Sequence, residues 1–329
     1  MKTIINTPEG TRDRLFAECR ARRQVQSQLT ALFQTRGFAE ISTPEVEFYD
    51  LFIQSGNPIP QESMLKIVDR SGKIMVMRPD CTTPIARVAA TKLKAVPLPQ
   101  RLYNETVFRS GAAHKGGSSE IAQCGVELLG AGDREADLEV ISLGVEALRK
   151  ISPNCHLELG HAGLFKALAH ELEMDAAGVE NLRRLIEGKH FAALKDLLEP
   201  YQDARAYQLL SRLSNLFGGA EVLDEGEALV GTRPELTYLR DLWQVLDEAG
   251  YGDFVRFDLG LVHQIDYYTG VVFRGYAEGA GAPVLSGGRD DNLLGAFGRP
   301  APAIGFAVDV DALADCQSTS TESEGRLRI

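Results

Sequence analysis

Two polar side chains fall on one face of a segment that the sequence predicts to be a strand. In EIAQCGVELLG, residues 120–130, alternation with a period of two places Gln123 and Glu127 on the same face as Ile121, Gly125 and Leu129. Amide and carboxylate oxygens can accept hydrogen bonds from the N–H groups of a ligand. Such a face is either exposed to solvent or directed into a pocket, and alternation alone fits both.

A second pair of polar residues precedes a predicted helix. Thr83 and Pro84 are a good helix start, because proline at the first helical position gives up no needed donor, and the helix is expected to run to about Leu93. Asp80 and Thr82 stand immediately before or at this start. Asp80 therefore has two interpretations, as a cap of the helix and as a ligand for a cation.

Two further motifs carry candidate residues near predicted strands. Tyr267 and Tyr268 adjoin the start of a strand, so one is expected to pack in the core and only the other to be available to a ligand. Residues 287–289, Gly-Gly-Arg, resemble a phosphate-cradling turn, although a tight β-turn is the commoner explanation of paired glycines.

The elements that must position these residues indicate an α+β fold. Helical spacing of Val25, Leu29, Leu32 and Phe33 predicts a helix that stops at Gly37. A short strand (FAEISTP) and a hairpin (LKIVD, RSGK, IMVMR) follow, then strands at QRLYNETVFR and EIAQCGVELLG. A helix capped by Asp133, a strand at HLELG and a helix at AGLFKALAHEL complete this half.

In the second half of the chain the sequence pattern changes twice, first to helical composition and then back to strands. Residues 173–250 are helical in composition without strand-like alternation, and strand signals return at FVRFDLG, GVVFRGY, APVLSGG and AIGFAVDV. Hairpins rather than regular βα alternation indicate an antiparallel sheet. The prediction is a core in two parts, residues 1–172 and 251–315, a helical insertion subdomain at 173–250, and a polar, disordered tail at 316–329.

Composition excludes several classes of protein. The hydrophobic content of 44% and charged content of 25% are typical of globular proteins, and the net charge of −11 argues against an obligatory nucleic-acid partner. The five cysteines are scattered without a CxxC pair, which disfavours zinc ligation and a disulfide framework. No segment approaches about 20 apolar residues, and no signal peptide is evident, so a soluble cytoplasmic protein without a membrane partner is expected.

Four segments together resemble the catalytic core of the class II aminoacyl-tRNA synthetases of the histidyl type. They are TPEGTRD with the following helix and strand to Pro44, then MRPDCTTPIAR, then VFRSGAAHKGGSSEIAQCGVELLG, and finally LVHQIDYYTGVVF through SGGRDDNLLGAFG to AIGFAVDVDAL. The resemblance spans roughly residues 5–313 and implies a class II synthetase-like antiparallel sheet flanked by helices. Only a short tail follows Leu313, so no anticodon-binding domain is expected.

The departures from this family fall where the synthetases hold ATP. Arg109 matches the arginine for the α-phosphate, either as a remnant of the nucleotide site or as an ion-pair partner. The other nucleotide-binding or reaction-associated positions have lost the family's residue; they are Gly111, Ala112, Gly117, Ser119, His263 and Ala312. Loss of one preorganised donor typically costs about 3 kcal/mol of transition-state stabilisation, so the loss of several predicts no adenylation. His114 and Lys115 are expected to be solvated.

The amino-acid side of the site is kept. The positions that match the family's histidine-binding residues are Asp80, Thr82, Gln123, Glu127, Tyr267 and Tyr268. A carboxylate, a hydroxyl and an amide oxygen can receive the ammonium of histidine, while Glu127 and a tyrosine hydroxyl can satisfy the two imidazole nitrogens. The ligand's carboxylate has no clear partner, since His263 replaces the arginine expected there.

A synthetase core with these losses resembles the regulatory subunits of ATP phosphoribosyltransferase. That resemblance implies a non-catalytic protein without metal or cofactor, which pairs through its core as a homodimer and joins a short-form catalytic subunit in a hetero-octamer. It also implies feedback inhibition by L-histidine of the first step of histidine biosynthesis. Two alternatives remain, an amino-acid-adenylating enzyme that uses Arg109 and a histidine sensor for some other protein.

Overall fold

The computed structural model of the chain describes residues 6–54, 59–97, 100–110, 118–262 and 267–322. Its strands are, in chain order, β1 (Ala39–Glu40), β2 (Val46–Phe48), β3 (Lys66–Val68), β4 (Ile74–Met77), β5 (Arg101–Phe108), β6 (Glu120–Leu129), β7 (Cys155–His161), β8 (Phe217–Gly218), β9 (Val255–Asp258), β10 (Val271–Ala277), β11 (Leu285–Arg289) and β12 (Ala303–Asp309).

The helices surround these strands. In chain order they are α1 (Phe16–Thr35), α2 (Tyr49–Gln54), α3 (Thr82–Ala90), α4 (Arg134–Ile151), α5 (Ala162–Glu171), α6 (Ala176–Glu187), α7 (Phe191–Leu198), α8 (Arg205–Leu210), α9 (Glu221–Val230), α10 (Pro234–Glu248), α11 (Leu293–Ala296) and α12 (Val310–Glu322). No helix within the described ranges is long and apolar enough to cross a membrane.

A large mixed sheet organises the molecule. In the described ranges it has nine strands in the order β1-β5-β6-β12-β11-β10-β7-β9-β8, and β2-β4-β3 form a separate small sheet. Neighbouring strands of the large sheet are antiparallel except for the pairs β1/β5 and β7/β9. The predicted α+β class with a mainly antiparallel sheet is therefore confirmed.

One face of the large sheet is covered by α1, α4 and α12. Helix α1 buries Val25, Leu29 and Phe33 completely, at the helical spacing that predicted it, and the chain leaves the helix at Gly37 with φ +86°. Helix α4 begins as predicted, because the Asp133 side chain accepts a hydrogen bond from the Ala136 amide at 2.9 Å. These contacts fix the sheet from behind and leave the other face free for the site.

Helices α3 and α11 pack together on the opposite face. Their apolar side chains form a second, smaller cluster with residues of the sheet; it includes Cys81, Ile85, Tyr103, Leu129, Leu293 and Ala303. Helix α3 starts at Thr82 and ends at Ala90, close to the predicted bounds. This small layer covers one end of the sheet and forms one side of a cleft.

The segment 173–250 is helical, as its composition predicts, but it also contributes an edge strand. Strand β8 pairs antiparallel with β9, Phe217 opposite Asp258. Two residues are too few to show alternation, so no sequence pattern predicts this strand. The buried leucines of α6–α10, among them Leu182 and Leu239, belong to the same apolar cluster as the strands β6, β7 and β10.

Two predictions for the second half are wrong. Residues 287–289 do not form a turn; they lie inside β11, with Gly287 opposite Phe273 and Phe306 on its two neighbouring strands. Helix α12 extends to Glu322, so the predicted disorder from Cys316 does not hold for 316–322. The reason is that Leu313 and Cys316 are buried and carry the helix forward. Residues 323–329 lie outside the described part.

Candidate functional site

A cleft of about 440 Å³ opens between the α3–α11 layer and the strands of the large sheet. Each of the six residues predicted to bind a ligand lines it; these are Asp80, Thr82, Gln123, Glu127, Tyr267 and Tyr268. They come from three parts of the chain, the start of α3, the middle of β6 and the segment before β10. The fold therefore brings the predicted set into one place.

Glu127 lies at the bottom of the cleft and is only 4% exposed. Its Oε1 accepts a hydrogen bond from the Thr82 hydroxyl at 2.6 Å. Burial, with smaller contributions from Asp290 and Asp80, raises the pKa of Glu127 to about 8, and the Thr82 bond opposes the rise. At neutral pH this carboxyl group is thus mainly protonated.

Gln123 sits two strand repeats away on the same face of β6, as alternation requires. Of the two interpretations left open by the sequence, the half-buried position on the cleft wall favours the pocket over a solvent-exposed edge. Gly125 between them is needed because Tyr103 of β5 crosses it, and a Cβ atom there would lie 2.5 Å from the Tyr103 hydroxyl.

Asp80 caps the beginning of α3, as one of its two interpretations predicts, and it also lines the cleft. Its Oδ1 accepts a hydrogen bond from the Thr83 amide at 2.7 Å, and its Oδ2 accepts one from the Thr83 hydroxyl at 3.2 Å. These bonds hold the carboxylate at the beginning of α3 while it still lines the cleft. Capping and ligand binding are compatible here, since a carboxylate has about four lone-pair sites.

Tyr267 and Tyr268 both line the cleft, so the expectation that only one would reach it is wrong. Their rings meet edge to face with centroids 5.1 Å apart. Tyr268 lies directly over β11, where a Cβ at Gly288 would come within 2.7 Å of its ring. The paired glycines thus serve close approach of this ring to the strand rather than a turn.

The backbone next to Tyr267 and Tyr268 forms hydrogen bonds with two neighbouring elements, β11 and α5. The Thr269 amide donates to the Arg289 carbonyl of β11 at 2.8 Å, and Lys166 of α5 donates to the Tyr268 carbonyl at 2.9 Å. Burial raises the pKa of both tyrosine hydroxyls, which therefore stay neutral and can donate or accept hydrogen bonds.

Arg109 also lines the cleft, but the structure gives it a structural bond. Its Nε donates to the Pro79 carbonyl at 2.8 Å, which ties the end of β5 to the segment before α3. None of the ion pairs between residues in the described part of the chain involves it, and its two predicted roles stay predictions.

Arg289, predicted to lie in a turn, instead forms a buried ion pair behind the cleft. Its Nε donates to Asp137 of α4 at 2.9 Å, and Tyr238 of α10 donates its hydroxyl to the same carboxylate. The Arg289 and Asp137 side chains are 7% and 1% exposed. This contact joins strand β11 to helix α4 and to helix α10 of the segment 173–250.

Sequence reasoning missed four charged residues of the cleft, namely Glu187, Arg274, Asp290 and Asp309. Asp290 follows β11 directly and is 5% exposed. Its Oδ1 accepts hydrogen bonds from the amides of Asn292 at 3.0 Å and Leu293 at 3.2 Å. The sequence signal that could have found it is an acidic residue at a strand end immediately before a short helix.

Several predicted departures lie outside the described residues, namely Gly111, Ala112, Gly117 and His263, together with the loop residues His114 and Lys115. Of the remainder, Ser119 is buried, and its amide donates to the Gly10 carbonyl at 2.7 Å. Ala312 lies in the first turn of α12. Neither carries a charge that could hold a phosphate.

Metal ligation finds no geometric support in the described ranges, where no group of three His, Cys, Asp or Glu side chains is arranged to hold an ion. No disulfide joins the cysteines in the described ranges. Burial raises the pKa of Cys81, which lines the cleft, well above its usual value, and this disfavours the reactive thiolate form.

Comparison with known proteins shows which family this chain resembles. The family model described as histidyl-tRNA synthetase matches residues 10–313. The ATP phosphoribosyltransferase regulatory subunit of Clostridium kluyveri is 40% identical over 314 residues, which cover 93% of this chain and 80% of the relative. That of Bacillus mycoides is 36% identical over 329 residues, which cover 98% of this chain and 78% of the relative.

Solved structures of proteins from the same family have a similar fold. An ATP phosphoribosyltransferase regulatory subunit/histidyl-tRNA synthetase from Bacillus halodurans superposes with a TM-score of 0.86 at 33% identity, covering 96% of this chain and 84% of that one. A histidine–tRNA ligase subunit from Alicyclobacillus acidocaldarius gives a TM-score of 0.81 at 26% identity, covering 98% and 99%.

Proposed function

The chain belongs to the histidyl-tRNA synthetase family and, within it, to the ATP phosphoribosyltransferase regulatory subunits, and we propose that its cleft binds L-histidine as the feedback signal for a separate catalytic subunit. The subunit itself carries out no reaction in this proposal. The regulated reaction is the first step of histidine biosynthesis, and inhibition is a coupling between the cleft and the partner's active site.

The charge distribution of the cleft carries this proposal. The described acidic residues that line it are Asp80, Glu127, Glu187, Asp290 and Asp309, and the described cations are Arg109 and Arg274. A triphosphate would meet an excess of negative charge, which raises its energy in a partly desolvated site. An amino acid with an ammonium group and a basic ring suits the same surroundings.

The contacts proposed for histidine follow from this chemistry. Asp80, Thr82 and Gln123 receive the ammonium group, and Glu127 with a tyrosine hydroxyl receives the two ring nitrogens. Arg109 and Arg274 are the cleft cations that remain for the ligand's carboxylate. Polar groups left unpaired by an apolar analogue would disfavour its binding.

The absence of adenylation is the second part of the proposal. Amino-acid activation requires fixed positive charge around the phosphates as pyrophosphate leaves. Ser119 and Ala312 provide none, and in the sequence Gly111, Ala112 and Gly117 provide none either. Retained Arg109 is the observation that favours an adenylating enzyme instead. Pyrophosphate exchange with L-histidine and ATP tests that alternative, and robust turnover would establish it.

The proposed partner is the short-form catalytic subunit of ATP phosphoribosyltransferase. The names of the related proteins support a catalytic partner. A homodimer formed through the synthetase-like core, and a hetero-octamer with four subunits of each kind, complete the proposal. A stand-alone sensor for another protein is the competing assembly, and co-purification with the catalytic subunit separates the two.

Reconstitution with a short-form catalytic subunit tests the function directly. Activity should depend on this chain and fall when L-histidine is added. The variant Glu127→Ala should weaken inhibition about tenfold to a hundredfold, because a buried acceptor for a charged ligand is lost, and should leave assembly intact. Glu248→Ala, an exposed glutamate of α10, is the matched control.

Two results would contradict the proposal at different levels. Unchanged inhibition of Glu127→Ala would remove Glu127 from the site while leaving the function in place. Failure of the wild-type chain to bind L-histidine, both alone and with the catalytic subunit, would remove the function itself.

A further inference from the structure

We propose that Arg274 of β10, together with Ser286 of β11, holds the carboxylate of the ligand and makes the cleft selective for a free amino acid. The inference rests on the proposed histidine site and adds a partner for the one ligand group that the sequence leaves without a clear contact. Three observations support it: the open part of the cleft floor, the cation beside that part, and the lack of a close carboxylate around this cation among the described residues.

The floor of the cleft consists of small residues on the neighbouring strands β6, β12 and β11. At three of these positions a larger side chain lies across the strand, so that a Cβ atom would come within 2.7 Å of it. The three covered positions are Gly125 under Tyr103, Gly305 under Glu127 and Gly288 under Tyr268.

Two floor positions remain open to the cleft, Ala307 of β12 and Ser286 of β11, which are direct partners across the two strands. Ser286 is exposed and Ala307 is half-buried, whereas Gly305 and Gly288 beside them are buried. A ligand placed between the residues that cover the rest of the floor therefore stands over Ala307 and Ser286.

Arg274 is the cation next to this open floor. Its neighbours in β10 face the core, because Phe273 is 1% exposed and a Cβ atom at Gly275 would lie 2.6 Å from Leu148 of α4. Alternation therefore directs Arg274 to the opposite face, where it lines the cleft. Its direct partner on β11 is Ser286, and the Cβ atoms of such a pair lie about 4.5–5.5 Å apart.

Arg109 is the only other cation among the described residues that line the cleft, and it starts farther from the open floor. Its amide donates to the Ser119 carbonyl at 2.9 Å, whereas Ala307 pairs with Gly125. The chain from Ser119 to Gly125 spans about 20 Å when extended. Arg274, one strand away from Ser286, is therefore the better placed of the two arginines.

No carboxylate of the described residues lies within 4.0 Å of the Arg274 guanidinium. Glu158, its partner on β7, is instead 3.5 Å from His156. Burial raises the pKa of Tyr268, and the positive charge of Arg274 opposes this rise more strongly than that of Arg109 does. The charge of Arg274 thus acts on the cleft.

A guanidinium beside a hydroxyl is a set of donors that suits a carboxylate. The planar N–H groups of arginine match the two carboxylate oxygens, and hydrogen bonds between charged groups are about twice as strong as neutral ones. L-Histidine supplies such a carboxylate. An alcohol or amide that carries the same ring leaves the charge of Arg274 without a counterpart, so its binding is weaker.

L-Histidinol, in which a hydroxymethyl group replaces the carboxylate, tests the inference. Calorimetry on the full chain at pH 7.5 gives the dissociation constant of L-histidinol divided by that of L-histidine, and this ratio should exceed one. In Arg274→Gln the ratio should fall about tenfold or more, because the bond between charged groups is lost. Ser286→Ala should lower it about threefold. Arg274→Lys, which keeps a positive charge without the planar fork, should retain part of the ratio.

The control is Arg256→Gln, which removes a cation from β9 on the far side of Glu158, outside the cleft lining, and should leave the ratio unchanged. Equal weakening of both ligands in Arg274→Gln would mean a merely structural role and overturns the inference. The same fall of the ratio in Arg256→Gln, or a fall in Arg109→Gln alone, overturns it as well. If the wild-type chain binds neither ligand, the proposed function itself fails, which is a separate result.

Discussion

Thr82 donates its hydroxyl proton to Glu127 across 2.6 Å, and this bond joins the start of α3 to the middle of β6. It is the direct contact between two sequence segments that were predicted independently. Because the bond lowers the pKa of Glu127 against the effect of burial, Thr82 influences both the geometry and the charge of the cleft.

Replacing this hydroxyl should weaken ligand binding without unfolding the chain. In Thr82→Val the affinity for L-histidine is expected to fall about tenfold, since Glu127 loses its donor and becomes harder to ionise. Calorimetric titration measures it. Thr237→Val, at an exposed position of α10, is the control, and equal affinities in the two variants would contradict the role of Thr82.

The raised pKa of Glu127 predicts that the stability of the protein depends on pH. The unfolded group ionises near 4.5 and the folded one at about 8, so between these values the folded state binds more protons. The free energy of unfolding must then fall as pH rises through this window, by up to about 1.4 kcal/mol per pH unit.

The variant Glu127→Gln removes this titration. Relative to wild type, its free energy of unfolding in urea should be higher at pH 8 than at pH 5 by up to a few kcal/mol. Glu248→Gln should show no such difference, because its side chain is exposed. A pH-independent effect of Glu127→Gln would mean that Glu127 ionises normally.

Gly288 leaves room for the Tyr268 ring, and a methyl group there should be costly. A Cβ would lie 2.7 Å from ring atoms of Tyr268, so Gly288→Ala is expected to lower stability by about 1–3 kcal/mol and to weaken L-histidine binding. Gly281→Ala, where nothing lies within 4 Å, is the control for the same chemical change. Melting curves of both variants measure the change in stability, and titration with L-histidine measures the change in binding.

The buried pair of Asp137 and Arg289 should matter more than a surface pair on the same helix. Asp137→Asn removes the buried partner charge of Arg289, which then keeps only the more exposed Asp291, and is expected to cost about 3–5 kcal/mol of unfolding free energy. Asp241→Asn breaks the exposed pair with Arg134, for which less than about 1 kcal/mol is expected. If chemical denaturation shows similar losses of unfolding free energy for Asp137→Asn and Asp241→Asn, the buried pair does not matter more than the exposed pair.

Short-range chemistry explains what the sequence predicted well. Asp133 and the helix that it caps are neighbours in the chain, and the period-two face of β6 follows from strand geometry, so Gln123 and Glu127 were assigned to one face correctly. The six predicted site residues line one cleft because the resemblance supplied the register between distant segments.

Long-range packing explains what the sequence did not predict. Gly287 and Gly288 have the composition of a turn, and only the neighbouring strands and the Tyr268 ring reveal why they are glycines. Asp290 is a charged residue after a strand, a position that is usually solvated, yet it is only 5% exposed and accepts hydrogen bonds from the amides at the start of α11. Contacts between residues far apart in the chain decide the case of the glycines.

The apolar cluster formed by α6–α10 together with strands of the large sheet also has a practical consequence for spectroscopy. The chain contains one tryptophan, Trp243, which lies on α10 and packs against that cluster together with strands of the large sheet. Its fluorescence therefore reports on the unfolding of the whole cluster, including the sheet beneath the cleft. Occupancy of the distant cleft should be readable as a shift in the emission melting curve of this single natural fluorophore.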